Sequence, residues 1–245
     1  ITPAFPPPSN SFTSAWTTLL PLGSDAGAVV LDDQQRTAVI DDSAITWLNP
    51  DGGVMASMSI VADRLEGVAA ATGLAIALRD DEGNASVDGR AVAGTGAIVA
   101  LQPNAIAWTV AVTGGIAADV DTAVNGTTVA LIRADEDSVA LDDLTIVAQP
   151  SRWFVVWLDA RGQHVGHVPV AAPDGARRVA LLPGGDAVVL AAKELIRIAS
   201  DGQAIWSTPH SEPLDMVVDG QGDVVVLGTS DVTKLSAQGD VLWST

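Results

Sequence analysis

Near the C-terminus a strand, a glycine turn and a second strand ending on tryptophan occur twice in the same register. Residues 195–207 read LIRIASDGQAIWS and residues 232–244 read VTKLSAQGDVLWS, which sets Trp206 and Trp243 37 residues apart. Each copy has the pattern of a β-hairpin, apolar runs flanking a Gly-containing turn. A repeat of this size constrains the fold more than composition does. A supersecondary piece of about 40 residues cannot bury both of its faces alone and has to pack on copies of itself.

Three earlier stretches fit the template. Residues 44–57 (AITWLNPDGGVMAS) give the strand, an Asn-Pro-Asp-Gly-Gly turn and the return strand, with Ala56 in the tryptophan's place. Residues 98–109 (IVALQPNAIAWT) restore it at Trp108, and residues 154–167 (FVVWLDARGQHVGH) put Gly166 there. The marked positions lie 52, 58, 40 and 37 residues apart, so the unit is constant while its connections vary.

Two further apolar strands precede each hairpin. The first reads GAVVLDD (27–33), GLAIALRDDEG (73–83), TTVALIRADED (127–137), RRVALLPGGD (177–186) and PLDMVVDGQGD (213–223). The second follows as RTAVID, GRAVAG, SVAL, DAVVLAA and DVVVLGT. Lettered a to d, these strands make five abcd units at about 21–58, 73–112, 127–170, 177–209 and 213–245. The pattern predicts an all-β chain, a β-propeller of five four-stranded antiparallel blades in one domain over 13–245. The tryptophan of strand d, a large apolar body with one N–H to satisfy, suits a docking position between blades. Residues 14–20 (SAWTTLL) resemble a strand d around Trp16 with no a, b or c before it, which makes six blades the alternative. Residues 61–71 (VADRLEGVAAA) leave the alternating pattern and predict a short surface helix, and residues 114–125 predict an enlarged d-to-a connection.

Composition narrows the function classes. With 30 Asp and Glu against 12 Lys and Arg, the formal charge is −18, and the one adjacent basic pair is Arg177-Arg178. Such a chain repels phosphate backbones, so nucleic acid and anionic membrane surfaces are poor partners. The absence of cysteine excludes disulfides, thiolate metal sites and cysteine nucleophiles. No apolar run reaches the ~20 residues of a membrane span, so direct membrane insertion is not expected of these residues. The Pro- and Ser-rich residues 1–12 (ITPAFPPPSNSF) read as an extended tether, compatible with an anchor upstream.

The repeat of acidic turn, apolar strand, strand and then D/A-x-G-x-hydrophobic-hydrophobic-W-x resembles the quinoprotein-type (PQQ-like) propeller repeat. The resemblance is closest over 178–245, recognisable over 26–109 and loosest over 114–167. That family holds quinone-dependent dehydrogenases and non-catalytic scaffolds, including envelope lipoproteins that help assemble outer-membrane proteins. The dehydrogenase branch implies seven or eight blades, a vicinal cysteine pair and a calcium site over the cofactor. This chain has no cysteine and is too short for that many blades, so the resemblance implies the scaffold branch, outside the cytoplasm and without a cofactor. A protein or glycan partner is then expected on the d-to-a loops, where Asp63, Arg64, Glu66, His210 and Glu212 are the candidate binding residues.

The residues that could carry chemistry are few. His164 and His167 are three apart, and on a regular strand that spacing sends side chains to opposite faces, against a shared metal. His210 stands in TPHSEP beside Ser211 and Glu212, the basis of an alternative reading as a propeller lyase or hydrolase, although a triad is assembled in space and not by adjacency. Asp119, Asp121 and Asn125 in DVDTAVNG offer oxygen ligands before a glycine and are weak calcium candidates. Asp80, Asp81, Glu82 and Asn84 form a second oxygen-rich turn. Acidic groups at Asp32-Asp33, 80–82, 135–137, Asp186 and Asp219 are expected at a-to-b turns, where Asp is also favoured by turn geometry alone, and the pairs Asp41-Asp42 and Asp142-Asp143 at b-to-c turns spread the charge over both faces.

Overall fold

Short runs of Val, Ile, Leu and Ala produce strands throughout the computed structural model, which describes residues 26–41, 43–148 and 151–245. The Pro-rich residues 1–12 and the Trp16 strand at 14–20 lie outside the described residues. Blade 1 comprises β1 (Ala26–Leu31), β2 (Thr37–Asp41), β3 (Ala44–Leu48) and β4 (Val54–Val61). The next strands are β5 (Arg64–Ala70), β6 (Leu74–Arg79), β7 (Ser86–Val87), β8 (Arg90–Ala91), β9 (Gly96–Gln102) and β10 (Ala105–Thr113). There follow β11 (Gly115–Thr122), β12 (Thr128–Ala134), β13 (Ser138–Leu141), β14 (Leu144–Val147), β15 (Trp153–Leu158) and β16 (His164–Val170). Blade 4 is β17 (Ala176–Leu181), β18 (Ala187–Ala191), β19 (Glu194–Ile198) and β20 (Ala204–Pro209). Blade 5 is β21 (Pro213–Val218), β22 (Val224–Gly228), β23 (Val232–Leu235) and β24 (Val241–Ser244).

The described residues form five antiparallel four-stranded blades, a five-bladed β-propeller. Blades 1, 4 and 5 have the strands expected from the sequence. Blades 2 and 3 are framed one strand earlier: blade 2 is β5-β6-β9-β10 and blade 3 is β11-β12-β15-β16. The segments 73–83 and 127–137 therefore supply strand b, not strand a. The stretch expected to be helical is strand a of blade 2, and the stretch expected as a loop at 114–125 is strand a of blade 3. GRAVAG and SVAL belong instead to two hairpins, β7–β8 and β13–β14, inserted between strands b and c. Each joins the outer strand of the preceding blade, β7 on β4 and β13 on β10, so the first two sheets have six strands.

The small residues that suggested a helix at 61–71 have another cause. Strand a lines the axis, where neighbouring blades converge, and a Cβ on Gly67 would stand 2.8 Å from the Cα of Asp119 in blade 3. Close approach of two backbones demands a side chain of hydrogen. The apolar interior lies between blades. Ile40, Ile45 and Met58 of blade 1 meet Leu74 and Ile76 of blade 2, and comparable clusters join blades 2 and 3, 3 and 4, and 4 and 5.

Every blade bulges at two equivalent places. One register break lies in strand a, and another lies one residue before the tryptophan position of strand d, at Met55, Ala107, Val165, Ile205 and Leu242. A bulge adds an unpaired residue and re-aims its neighbours. Here it turns the following side chain towards the next blade and leaves the bulged residue exposed.

Candidate functional site

Antiparallel order gives the propeller two rims. Connections d-to-a and b-to-c share an upper rim, and turns a-to-b and c-to-d share a lower one. The five a strands border an axial cavity of about 1150 Å³, lined among others by Leu31, Glu66, Asp119, Asp121, Arg178 and Asp219.

Asp119 and Asp121, the weak calcium candidates, point from β11 to β17. Val179 N–H donates to Asp119 Oδ2 at 2.8 Å, and Leu181 N–H donates to Asp121 Oδ2 at 2.7 Å. Two carboxylates thus bridge backbones that carry no ladder between them. Asn125 accepts from Thr127 N–H in its own turn at 2.9 Å and does not join them. Burial pushes the Asp119 carboxyl up to about 7, against the opposing pull of the Val179 amide and of Arg178. Burial raises Asp121 as well, against its bonds to Leu181 and Thr122. Among the described residues no group of three or more His, Asp or Glu is arranged to hold a metal.

The acidic turns have a single chemistry. Oδ1 of Asp32 accepts the amides of Gln34 and Arg36, and Asp80, Asp159 and Asp219 repeat the bond to the residues two and four further on. These carboxylates close turns, as side chains of Asp do. They also occupy both rims. Asp80 to Glu82 and Asp135 to Asp137 follow strand b in blades 2 and 3 and so lie on the upper rim, opposite Asp32, Asp186 and Asp219, which corrects their placement at a-to-b turns.

The candidate residues of the d-to-a loops share the upper rim but form no single cluster. Asp63 accepts the Asp81 amide at 2.8 Å, Arg64 starts β5, and Glu66 lies 4.0 Å from Arg79 at the cavity wall. Glu212 accepts from Thr229 Oγ1 at 3.1 Å. The His210 side chain is 6% exposed, with Nδ1 near the Ser211 carbonyl at 3.2 Å and Nε2 3.6 Å from Asp231, not hydrogen-bonded. The acid beside its ring is Asp231, while Glu212 is taken up by Thr229.

His164 and His167, by contrast, come together. The bulge at Val165 cancels the odd spacing, and Nε2 of His164 lies 3.1 Å from Nδ1 of His167. Desolvation, then the neighbouring imidazole, lowers the basicity of His164.

Trp108 and Trp206 dock between blades as expected, Trp243 of the last blade is exposed, and a further rule places Trp47 and Trp157. Trp206 Nε1 donates to the Ala237 carbonyl of blade 5 at 3.0 Å, and its ring lies on Gly239, where a Cβ would approach to 2.8 Å. Trp108 lies in the same way on Gly162 of blade 3, where a Cβ would approach to 2.7 Å. Both glycines have positive φ, 87° and 77°. Where strand d lacks the tryptophan, strand c carries it directly opposite: Trp47 faces Ala56 and Trp157 faces Gly166. Both are buried, and Trp157 donates to the Gly185 carbonyl of blade 4 at 2.9 Å. The signal was present in WLNPDG and WLDARG, two copies of Trp-Leu-x-x-x-Gly at 47–52 and 157–162.

On the upper rim, hairpin β13–β14 ends the six-stranded sheet of blade 2, and among the described residues β14 is bonded on one side only. Ala148 N–H donates to Asp137 O, so by alternation the amides of Thr145 and Val147 face outward. Val147 is 68% exposed.

No family model and no curated protein matches the chain. Solved structures do. A streptogramin B lyase structure superposes with a TM-score of 0.56 at 10% identity, covering 87% of this chain and 66% of that one. Apo AztD from Citrobacter koseri gives 0.54 at 12% identity, covering 93% and 74%. BBS1N in complex with ARL6DN gives 0.51 at 14% identity, covering 90% and 66%. The chain thus spans about two thirds to three quarters of the length of these proteins. At such identities the likeness concerns the fold.

Proposed function

We propose that this chain is a non-catalytic interaction module, displayed outside the cytoplasm, that takes a protein partner on its upper rim. The observation that carries the reading is the open edge of β14. An unpaired strand edge with an apolar side chain offers backbone hydrogen bonds to an extended polypeptide, the mode of recognition called strand addition. That favours a protein over a glycan. The edge rests on a hydrogen-bonded sheet, so little order has to be gained on binding. A fold of this kind engages a second protein in the BBS1N–ARL6DN structure. Among the described residues no helix is long and apolar enough to cross a membrane.

The test is capture from a cell-envelope extract by the chain and by Val147→Pro, which deletes an outward donor and leaves the bonds to β13 in place. The expected result is a captured protein that the variant loses at unchanged melting temperature. Equal capture by both, or turnover of a small molecule by a chain that captures nothing, refutes the reading. Fractionation of the tagged protein checks the compartment. The second reading, a lyase or hydrolase, is favoured by the buried, unbonded Nε2 of His210 beside Asp231. Unchanged turnover in His210→Ala removes it.

A further inference from the structure

The outward face of blade 5 repeats most of the face that blade 4 buries, with Asp219 standing where blade 4 has Leu182. Ala180, Leu190 and Leu195 of blade 4 are at most 7% exposed and form the interior shared with blade 5. Their equivalents by strand register are Val217, Leu227 and Val232. Val217 is 63% exposed and Leu227 47%. Trp243 takes the place of Trp206: it lies opposite Lys234 as Trp206 lies opposite Arg197, directly after a bulge. Yet Trp243 is 45% exposed. Lys234 pairs with Asp219 and Asp223 of its own blade, as Arg197 pairs with Asp186, but Arg197 in addition reaches the next blade's Ala237 carbonyl. The docking side chains are present, and among the described residues what they dock on is not.

We infer that this face is the seat of a sixth blade of the same repeat, joined in sequence to the fifth, whose c-to-d glycine turn covers Trp243. The shape of the occupant follows from the interfaces inside the chain: an apolar inner face like that of β21–β23, and a positive-φ glycine like Gly239 on the indole. Size decides its source. Four strands about 4.8 Å apart and five residues of about 3.4 Å make a face of roughly 320 Å², while a stable complex of separate chains buries about 800 Å² on each partner. A single face of this size suits an occupant that the polypeptide itself keeps in place, as blade 5 is kept on blade 4. The geometry allows the link: Thr245 is bonded to Val232 at the upper rim, and residues 210–212 suffice to lead from β20 into β21. On the far side, Val29 and Leu31 of blade 1, which point away from blade 2, are 64% and 62% exposed. The occupant therefore enters a gap apolar on both sides. A second copy of the chain is the competing occupant.

The experiment compares the 245-residue chain with the same chain extended past Thr245 by a duplicate of residues 210–245, which brings its own link, blade and glycine turn. Trp243 emission is isolated as the difference between each chain and its Trp243→Phe variant. Extension is expected to shift that emission to shorter wavelength, to reduce its quenching by acrylamide, and to slow amide exchange in β24 about tenfold or more. Leu227→Lys in the extended chain is expected to reverse all three while blades 1 to 4 keep their exchange protection. A Trp243 as quenchable in the extended chain as in the original overturns the inference, whether or not the added repeat is folded. So does shielding of Trp243 in the original chain that grows with concentration, which would assign the face to a second copy.

Discussion

Asp119→Asn is expected to make the protein more stable, and increasingly so as pH rises. The Asp119 carboxyl titrates at about 7 in the folded chain, against 3.8 for the free group, because burial disfavours its charge more than the Val179 amide and Arg178 favour it. With the folded value above the unfolded one, the folded state holds the proton longer. Stability at this site is therefore greatest below pH 4, falls as pH rises from about 4 to about 7, and is then level. At about 1.4 kcal/mol for each tenfold change in proton affinity, the loss amounts to about 4 kcal/mol by pH 8, an upper figure for a site that can relax. Asparagine keeps an oxygen to accept from Val179 and removes the ionisation. Urea unfolding of both proteins from pH 4 to pH 9 reads the effect directly: the variant's advantage should begin near zero and grow to a few kcal/mol. Because both proteins share every other acid, the general repulsion of a −18 chain cancels in the difference. An advantage that does not change with pH would show that Asp119 is ionised in the folded protein throughout, and would refute the reasoning.

Three further outcomes follow from the docking geometry and the histidine pair. Gly239→Ala should cost about 2–4 kcal/mol, since it adds a Cβ against the Trp206 ring at positive φ; Gly185→Ala, equally positive in φ at 91° but with nothing within 4 Å, should cost about 1 kcal/mol in the same denaturation assay. Trp47→Ala should cost about 3–5 kcal/mol, and adding Ala56→Trp should recover part of it, because blades 2 and 4 place the indole on strand d opposite a residue of strand c; a double variant no better than the single one would break that equivalence. His167→Ala should raise the titration midpoint of His164 followed by NMR, by removing the second of the two causes that lower it.

The blade repeat was legible where each strand had one role. In blades 1, 4 and 5 the connections are short turns, and alternation with Gly turns located all four strands. Blades 2 and 3 were misframed because an inserted hairpin presents two more short strands, and nothing local says which sheet they join. Gly67 and its alanine neighbours read as helical because propensity is a local property, while crowding at the axis is set by another blade. The partnership of His164 and His167 was hidden by a one-residue bulge, which inverts side-chain direction without leaving a mark of its own at Val165. The acidity, by contrast, was correctly weighed as turn chemistry: Asp32, Asp80, Asp159 and Asp219 close their turns in one way. What no local pattern could supply is the upper-rim edge at β14, since an edge is defined by what does not pair with it.

The two inserted hairpins make the order of synthesis matter. The outermost strands of blade 1's sheet are residues 86–91, which are made only after strand b of blade 2, and those of blade 2's sheet are residues 138–147, made after strand b of blade 3. A ribosome that has just released blade 1 has released an unfinished sheet, closed off only by chain belonging to its successor. Blades 1 and 2 are thus latched like overlapping shingles, each held down by the next. A cut in the chain between residues 79 and 96 would loosen blade 1 although every residue of that blade remained intact.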